Sequence, residues 1–421
     1  MTAADDARTW DAIIIGAGAA GMMAAAHAAE LGHRVLSLEK NRKVGAKILM
    51  SGGTRCNLTQ ATDKRGIVAA FGESGAFLHS ALARLSPEDV VGWFETMGVP
   101  TKVEETGKIF PASDSAVDVQ QALLRAVIES GVTLLTETGV ESVQKRGEEF
   151  CVITSRGEYL GRQVMLTTGG RSYPGCGTTG DGYAWASALG HTIVRPRPAL
   201  VPLTAPKGWW TELSGLTLPD VVLKVVGGGE KVKLAEDRGS FLFTHFGYSG
   251  PSVLNVSRAV TQHSGDPSVH LVADWLPQLT SDQLSGEFQQ LAQKSGGKQM
   301  KSRLGELLPK RLVESLMEQG RIPGERTFAE FSRAEQQRMI GALKESPLPI
   351  SGTRGFEKAE VTAGGVSLDE VDSRTLESKL VPGLFLAGEI LDLDGKIGGY
   401  NFQAAFSTGW LAAESLRYPD G

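Results

Sequence analysis

A short apolar strand that runs into closely spaced glycines constrains this chain more than any other feature. Asp11 is followed by Ala12-Ile13-Ile14-Ile15, and the run stops at Gly16-Ala17-Gly18-Ala19-Ala20-Gly21. The spacing is G-x-G-x-x-G. Gly16 permits a tight turn, Gly18 leaves no Cβ between backbone and a pyrophosphate, and Gly21 lets the next helix press on the strand. An Ala-rich helix over residues 22–31 ends at Gly32, a common residue just past a helix end. Its first turn, with Ala19 and Ala20, turns amides and a partial positive charge toward the phosphates. A second strand, residues 33–38, delivers Glu39 and Lys40. Glu39 lies 18 residues beyond Gly21, near the roughly 20 expected of an acid that binds ribose hydroxyls. Strand, glycines, helix, strand and acid in that order imply a Rossmann-like α/β domain that binds a dinucleotide. The acid does not say which one, because FAD and NAD both carry the ribose 2′-hydroxyl.

At 421 residues the chain can hold two or three domains, and its ordinary apolar and charged fractions place it among soluble globular proteins. A net charge of −5 argues against a surface that coats nucleic acid. No apolar run approaches the roughly 18 to 20 residues that span a bilayer, so no membrane contact is expected. Residues 1–8 are small and acidic without an apolar core, and a secretory signal is not expected. Cys56, Cys151 and Cys176 are far apart and form no C-x-x-C, which argues against a redox dithiol and a zinc knuckle. No metal site is expected, and the cytoplasm is the expected location.

Residues 41–59 are too glycine-rich and basic for a core element, and not repetitive enough for a linker. Lys47 and Arg55 can neutralise a pyrophosphate. The amides of Ser51, Gly52 and Gly53 and the side chain of Asn57 can hydrogen-bond a ring or a ribityl chain. Cys56 lies in this ligand loop with no resolving thiol nearby in sequence, and it is read as packing.

The stretch Ser51-Gly52-Gly53-Thr54-Arg55-Cys56-Asn57-Leu58-Thr59, after a G-x-G-x-x-G unit, resembles the BaiN-like NAD(P)/FAD-dependent oxidoreductases. That group includes the aminoacetone-oxidase-like flavoproteins. Its usual form is S-G-G-G-R-C-N, so Thr54 departs from the pattern. Thr168-Gly169-Gly170-Arg171-Ser172-Tyr173-Pro174, Thr179-Gly180-Asp181-Gly182-Tyr183, residues 243–251, Ala387-Gly388-Glu389 and residues 392–403 extend the resemblance over nearly the whole chain.

Residues 75–97 and 118–130 carry apolar positions at helical spacing, and 103–110 enclose a hairpin at Thr106-Gly107. Short strands follow at 132–135, 139–144, 150–155 and 163–168. In many flavoproteins a strand here sets backbone groups on the adenine, and by position Val140 is that residue, with plain core packing as the equal alternative. Residues 163–168 run into Thr168-Gly169-Gly170 without a second G-x-G-x-x-G, and 225–230 are no substitute because no helical segment follows. The one strong site is therefore expected to hold non-covalent FAD, with NAD(P)H as a transient donor.

Cofactor signals stop near residue 190 and resume near 352. Residues 1–190 with 352–421 are expected to form the FAD-binding domain, 191–278 with 345–351 an inserted β-rich, barrel-like domain, and 279–344 a helical subdomain. Within the insertion Pro196, Pro198 and Pro202 suggest a linker. Residues 221–243 read as three strands with turns at 227–229 and 237–239, and Pro251 opens a helix. On the return, a strand ends in Gly388-Glu389; in FAD proteins of this general fold an acid here binds the ribityl hydroxyls. Gly398-Gly399-Tyr400-Asn401 then opens a helix whose N-terminus would favour negative charge at the flavin N1/O2 edge.

Tyr173, His245 and Tyr248 can each exchange a proton near a flavin, or merely line a domain interface. The expected reaction is NAD(P)H-linked reduction of a small organic acceptor such as an activated C=C bond. An aminoacetone-like amine oxidase would use the same FAD frame, and a non-enzymatic flavoprotein is the third reading. No basic aromatic cluster points to nucleic acid.

Overall fold

The computed structural model describes residues 9–227 and 232–418. The strand Thr9–Ile15 lies between two parallel neighbours, Val35–Leu38 and Gly157–Leu166, in register with both. Its Ala12, Ile13 and Ile14 are fully buried, which is why it reads as a continuous apolar run instead of alternating. Thr133–Leu135 extends the parallel sheet past Val35–Leu38, and Leu384–Leu386 pairs beside the last three residues of Gly157–Leu166. The first half of that long strand pairs instead with the antiparallel hairpin Val140–Arg146 and Glu149–Thr154.

The ladder continues beyond the strand ends. Gly16 N–H donates to Leu38 O at 2.8 Å, Glu39 N–H to Leu135 O at 2.9 Å, Thr167 N–H to Ile15 O at 3.0 Å and Ala387 N–H to Leu166 O at 3.1 Å. The glycine turn, the acid and the segments after residues 166 and 386 therefore meet at one rim. That rim, at the carboxyl ends of the strands, is where open α/β sheets bind ligands. The helix Ala19–Glu30 packs against the C-terminal helix Tyr400–Glu414, and the fit is close: a Cβ on Gly409 would lie 2.4 Å from Ala20 O.

Several elements differ from the sequence pattern. The helical pattern over 75–97 is interrupted, because Leu85 is extended and Ser86 caps a new helix, Pro87–Thr96, through a reciprocal bond with Asp89. Asp237-Arg238-Gly239 is strand interior, opposite Leu223, Val222 and Val221 in a long pair formed by Thr217–Gly227 and Val232–Thr244. Arg238 is exposed and bonded to Asp220 at 2.7 Å, while Asp237 on the other face accepts from Asn255 at 2.9 Å; these polar residues imitate a turn in sequence. The other expected turn, 227–229, falls largely on residues 228–231, outside the described residues.

The chain divides into two compact units, Met1–Pro198 with Phe356–Gly421, and Ala199–Gly355. The first boundary falls later than residue 190 because Ile193–Ala199, read above as the start of a linker, is a strand paired with Val361–Val366. Both strands of a two-stranded sheet are edges, where proline is tolerated. The second unit is built on a seven-stranded sheet whose paired strands are antiparallel. The helices Ser281–Lys294, Lys310–Gln319 and Arg333–Lys344 do not form a third unit. Their Leu284, Phe288, Leu312 and Met339 share one buried core with Phe241, Phe243 and Trp275 of the sheet strands and their margin. Among the described residues no helix is long and apolar enough to cross a membrane, and no cluster of His, Cys, Asp and Glu could hold a metal ion.

Candidate functional site

The three glycines of the first turn have separate jobs. A Cβ on Gly21 would lie 1.8 Å from Gly16 O and 2.6 Å from Thr167 Oγ1, so Gly21 sets how closely helix and turn pack. Thr167 locks that arrangement, its hydroxyl donating to Ile15 O or Gly16 O at 3.0 and 2.8 Å. Gly18 differs: nothing lies within 4 Å of where its Cβ would be. It precedes a helix that no side chain caps, so the first-turn amides of Ala19 and Ala20 face a gap that a phosphate can enter. An uncapped helix start beside an open Gly18 fits a dinucleotide pyrophosphate.

Glu39 is buried at the rim. Its carboxylate accepts from Ala17 N–H at 2.9 Å and Asn41 N–H at 2.8 Å, so it holds the glycine turn. Its carbonyl accepts from Thr138 N–H at 2.9 Å, which brings Gly139 and Val140 to the same edge. Lys40 turns outward to Thr179 and Asp181, at 2.6 and 2.5 Å.

Lys47 and Glu389, expected to hold pyrophosphate and ribityl hydroxyls respectively, are bonded to each other at 2.5 Å. Around them Ser172 Oγ donates to Glu389 Oε1 at 2.7 Å, and Thr362 N–H donates to the same oxygen at 2.9 Å. The Thr362 hydroxyl accepts the amides of Arg171 and Ser172. The node ties the 46–50 helix, the turn after Thr168-Gly169-Gly170 and the Gly388-Glu389 corner into one frame. Lys47 is thus a positioning group for Glu389, and its charge is not directed at a phosphate.

The loop at Ser51 to Asn57 also differs from expectation. Arg55 is bonded to Glu104 at 2.6 Å and lies 4.0 Å over the Phe110 ring, so its charge serves the hairpin Thr101–Val103 and Lys108–Pro111. Asn57, with its amide oriented to suit its neighbours, donates to Thr59 O and Ile109 O and accepts from Gly399 N–H at 3.0 Å. Asn401 bonds both Gly395 N–H and Gly395 O. Both amides are therefore committed to protein, and neither is carried forward as a ring ligand. Ser51 caps its own turn through Ile48 O. Gly52, Gly53, Thr54 and Cys56 all have positive φ, which explains why glycine suits position 54 and why Thr54 sits there under strain. Cys56 is fully buried, and burial pushes its thiol up to about 12.

Gly399 has φ +90, and a Cβ there would lie 2.5 Å from Thr59 O. What needs glycine at this position is the Thr59 backbone, not a ligand. Gly398 also has positive φ, and Tyr400 starts the C-terminal helix, which no side chain caps.

Tyr173 is half-buried in the first unit and adopts a left-handed conformation. His245 is exposed at a turn of the second unit. Tyr248 is fully buried there, its ring against Trp210, Phe241 and Phe243 at 5.3 to 6.2 Å. Burial pushes its phenol far above the ordinary range. A ring so enclosed is core, and Tyr248 is dropped as a proton donor. Sequence reasoning missed Thr167, Ser172 and Thr362. No spacing rule connects the Thr362 segment to residues 47, 172 or 389.

A family profile described as the HI0933-like protein Rossmann domain matches residues 10–415. The chain belongs to the HI0933-like family. The family's members are FAD-dependent oxidoreductases. The chain is 36% identical over 412 residues to a ribosomal RNA dihydrouridine synthase of Escherichia coli (strain K12), covering 97% of this chain and 98% of the relative. It is 33% identical to a 3-dehydro-bile acid delta(4,6)-reductase of Clostridium scindens, covering 96% and 98%. Among solved structures, the Mycobacterium smegmatis Sdh1 complex in the apo form shares the fold, with TM-score 0.51 and 16% identity over 98% of this chain and 69% of that one. FAD, when bound, supplies hydride transfer. In this HI0933-like chain the open Gly18 turn with the Ala19 and Ala20 amides would take its phosphates, while Lys47, Ser172 and Thr362 fix the Glu389 corner.

Proposed function

We propose that this chain saturates a C=C bond conjugated to a carbonyl, with electrons from NAD(P)H passing through FAD, and that its substrate is a uracil ring in ribosomal RNA. The observation that carries the reading is near full-length likeness to proteins whose two different names specify one bond change. Uracil has a C5=C6 bond conjugated to its C4 carbonyl, and a 3-oxo steroid with 4,6 unsaturation has the same system. Ribosomal RNA is preferred because a second relative, from Haemophilus influenzae, bears that name at 34% identity over 96% of this chain. A net charge of −5 gives no broad electrostatic footprint for RNA. Recognition on this reading depends on stacking and edge contacts to one exposed base.

The test is anaerobic. Purified protein with FAD is mixed with NADPH or NADH, and flavin bleaching is followed. In vitro transcribed ribosomal RNA is then added, or separately a 3-oxo-Δ4 steroid. Flavin reoxidation by the RNA, with a nucleoside heavier by two hydrogens, is the expected result. Reoxidation by the steroid alone would move the substrate to a small enone. Bleaching by aminoacetone without NAD(P)H, followed by reoxidation with oxygen, would overturn the reductase reading in favour of an amine oxidase.

A further inference from the structure

Saturating a C=C bond takes a proton as well as a hydride, and one acid in the first unit is suited to hold that proton. Glu360 immediately precedes the strand Val361–Val366. Two residues on, the Thr362 hydroxyl accepts Arg171 N–H at 2.8 Å and Ser172 N–H at 3.1 Å. Tyr173 follows in that turn. Its amide donates to Phe356 O at 3.0 Å, and the Arg171 guanidinium lies 4.9 Å over the Phe356 ring. Two bonds at one end and a bond with a cation–π contact at the other clamp residues 171–173 against residues 356–362.

Three further observations separate this pair from ordinary scaffold. Tyr173 is held at φ 53 and ψ 62, a conformation that a bulky side chain rarely adopts and that persists where its surroundings over-determine it, commonly at functional sites. Glu360 is half-buried, yet among the described residues no group shares a hydrogen bond or ion pair with it. The charged groups that act on it are Lys47 from the helix Ala46–Met50 and Lys108 from the hairpin strand, and Lys47 is already neutralised by Glu389. Burial outweighs both lysines and holds the Glu360 carboxyl above the ordinary carboxylate range. Burial also raises the Tyr173 phenol, with smaller contributions from Glu360 and Cys176, so it remains a donor. Glu357 and Lys358, on the same segment as Glu360, are exposed.

We propose that the reacting bond of the substrate lies between Tyr173 and Glu360, with Tyr173 donating a hydrogen bond to the carbonyl oxygen and Glu360 giving its proton to the carbon next to that carbonyl. This rests on the reductase reading above. The balance is complete: a dihydroflavin gives hydride to the far carbon of the double bond, the π pair takes the Glu360 proton, and water reprotonates the carboxylate. A carboxyl raised by burial stays protonated at higher pH than an exposed one, which suits it to this role.

The experiment uses FAD-loaded Glu360→Gln, Glu360→Asp and Tyr173→Phe, with NADPH and transcribed ribosomal RNA. Glu360→Gln is expected to lower kcat on the order of 10²- to 10⁴-fold, the usual contribution of a general acid, with KM little changed. It should also abolish the loss of rate as pH rises through the Glu360 pKa, and Glu360→Asp should restore part of both. A second readout needs no turnover. The phenolate absorbance of Tyr173, taken as the difference from Tyr173→Phe, should appear at lower pH in Glu360→Gln, because a neighbouring negative charge has been removed. Wild type inactive on RNA and on a 3-oxo-Δ4 steroid would defeat the reductase reading. Unchanged kcat and pH profile in a reductase that works would defeat the acid role, and an unmoved Tyr173 titration would defeat the pairing of the two residues.

Discussion

Gly18→Ala separates folding from cofactor binding in this protein. Gly18 has φ −84 and ψ −165, a backbone open to any residue, and an added Cβ meets nothing within 4 Å. Replacing glycine by alanine at a compatible position stabilises by about 0.4–1 kcal/mol through the unfolded chain. Gly18 is also a helix N-cap, where glycine is preferred to alanine by a comparable amount. The apoprotein should therefore change in stability by less than about 1 kcal/mol, the residue of these two opposed terms. With FAD the sign is clear, because the methyl occupies the gap through which a pyrophosphate reaches the Ala19 and Ala20 amides. Forcing a group into such a site costs about 1–3 kcal/mol, which raises the FAD Kd by about 5- to 150-fold. Urea unfolding of apoprotein gives the first quantity, and titration of FAD fluorescence gives the second. Gly21→Ala is the contrast: its Cβ would sit 1.8 Å from Gly16 O, so both folding and binding should fail. A Gly18→Ala protein that binds FAD with the wild-type Kd would show that the phosphates do not pass Gly18.

Glu39→Ala should destabilise even the apoprotein by about 1.5–3 kcal/mol, because the carboxylate holds the amides of Ala17 and Asn41; an unmoved urea midpoint would mean that the acid serves the ligand alone. Stability should fall as pH drops through about 6.5. Burial holds His191 below its ordinary 6.5 against the pull of Glu370, and His33 likewise against Asp11. The unfolded chain therefore takes up these protons first, and the stability present above pH 6.5 is lost in acid. His191→Asn should flatten the urea midpoint against pH, and an equal slope would contradict the assignment. Cys56, buried with its thiol pushed up to about 12, should resist a thiol-specific reagent in the native protein and react on unfolding. Labelling of Cys56 in the native state, located by peptide mass, would refute its role as packing.

Local order was legible without coordinates. The β-branched run, the glycine spacing and the acid after the second strand each depend on residues within a turn or a strand of one another. Gly21 and Glu39 could therefore be assigned from their neighbours. The same locality misled where two structures share one pattern. Asp237-Arg238-Gly239 has turn composition, but its pairing with Val221 to Leu223 makes it strand. Pro196 and Pro198 suggest a linker, but an edge strand tolerates them.

The destination of each charge and amide was settled only in three dimensions. Lys47 meets Glu389 across 342 positions, Arg55 meets Glu104 across 49, and Asn57 meets Gly399 N–H at the head of the last helix. A basic or amide side chain in a glycine-rich loop looks the same in sequence whether it faces a ligand or another part of the chain. Hydrogen bonds and ion pairs are selected by distances of about 3 Å, and chain closure, not spacing, creates those distances. Tyr248 shows the same limit, since its motif allowed either a proton donor or an interface residue and the aromatic core enclosed it. Glu360 is the converse: an unremarkable acid in sequence, it acquires a chemical identity only because folding half-buries it, couples it to Tyr173 and leaves its carboxyl without a partner among the described residues.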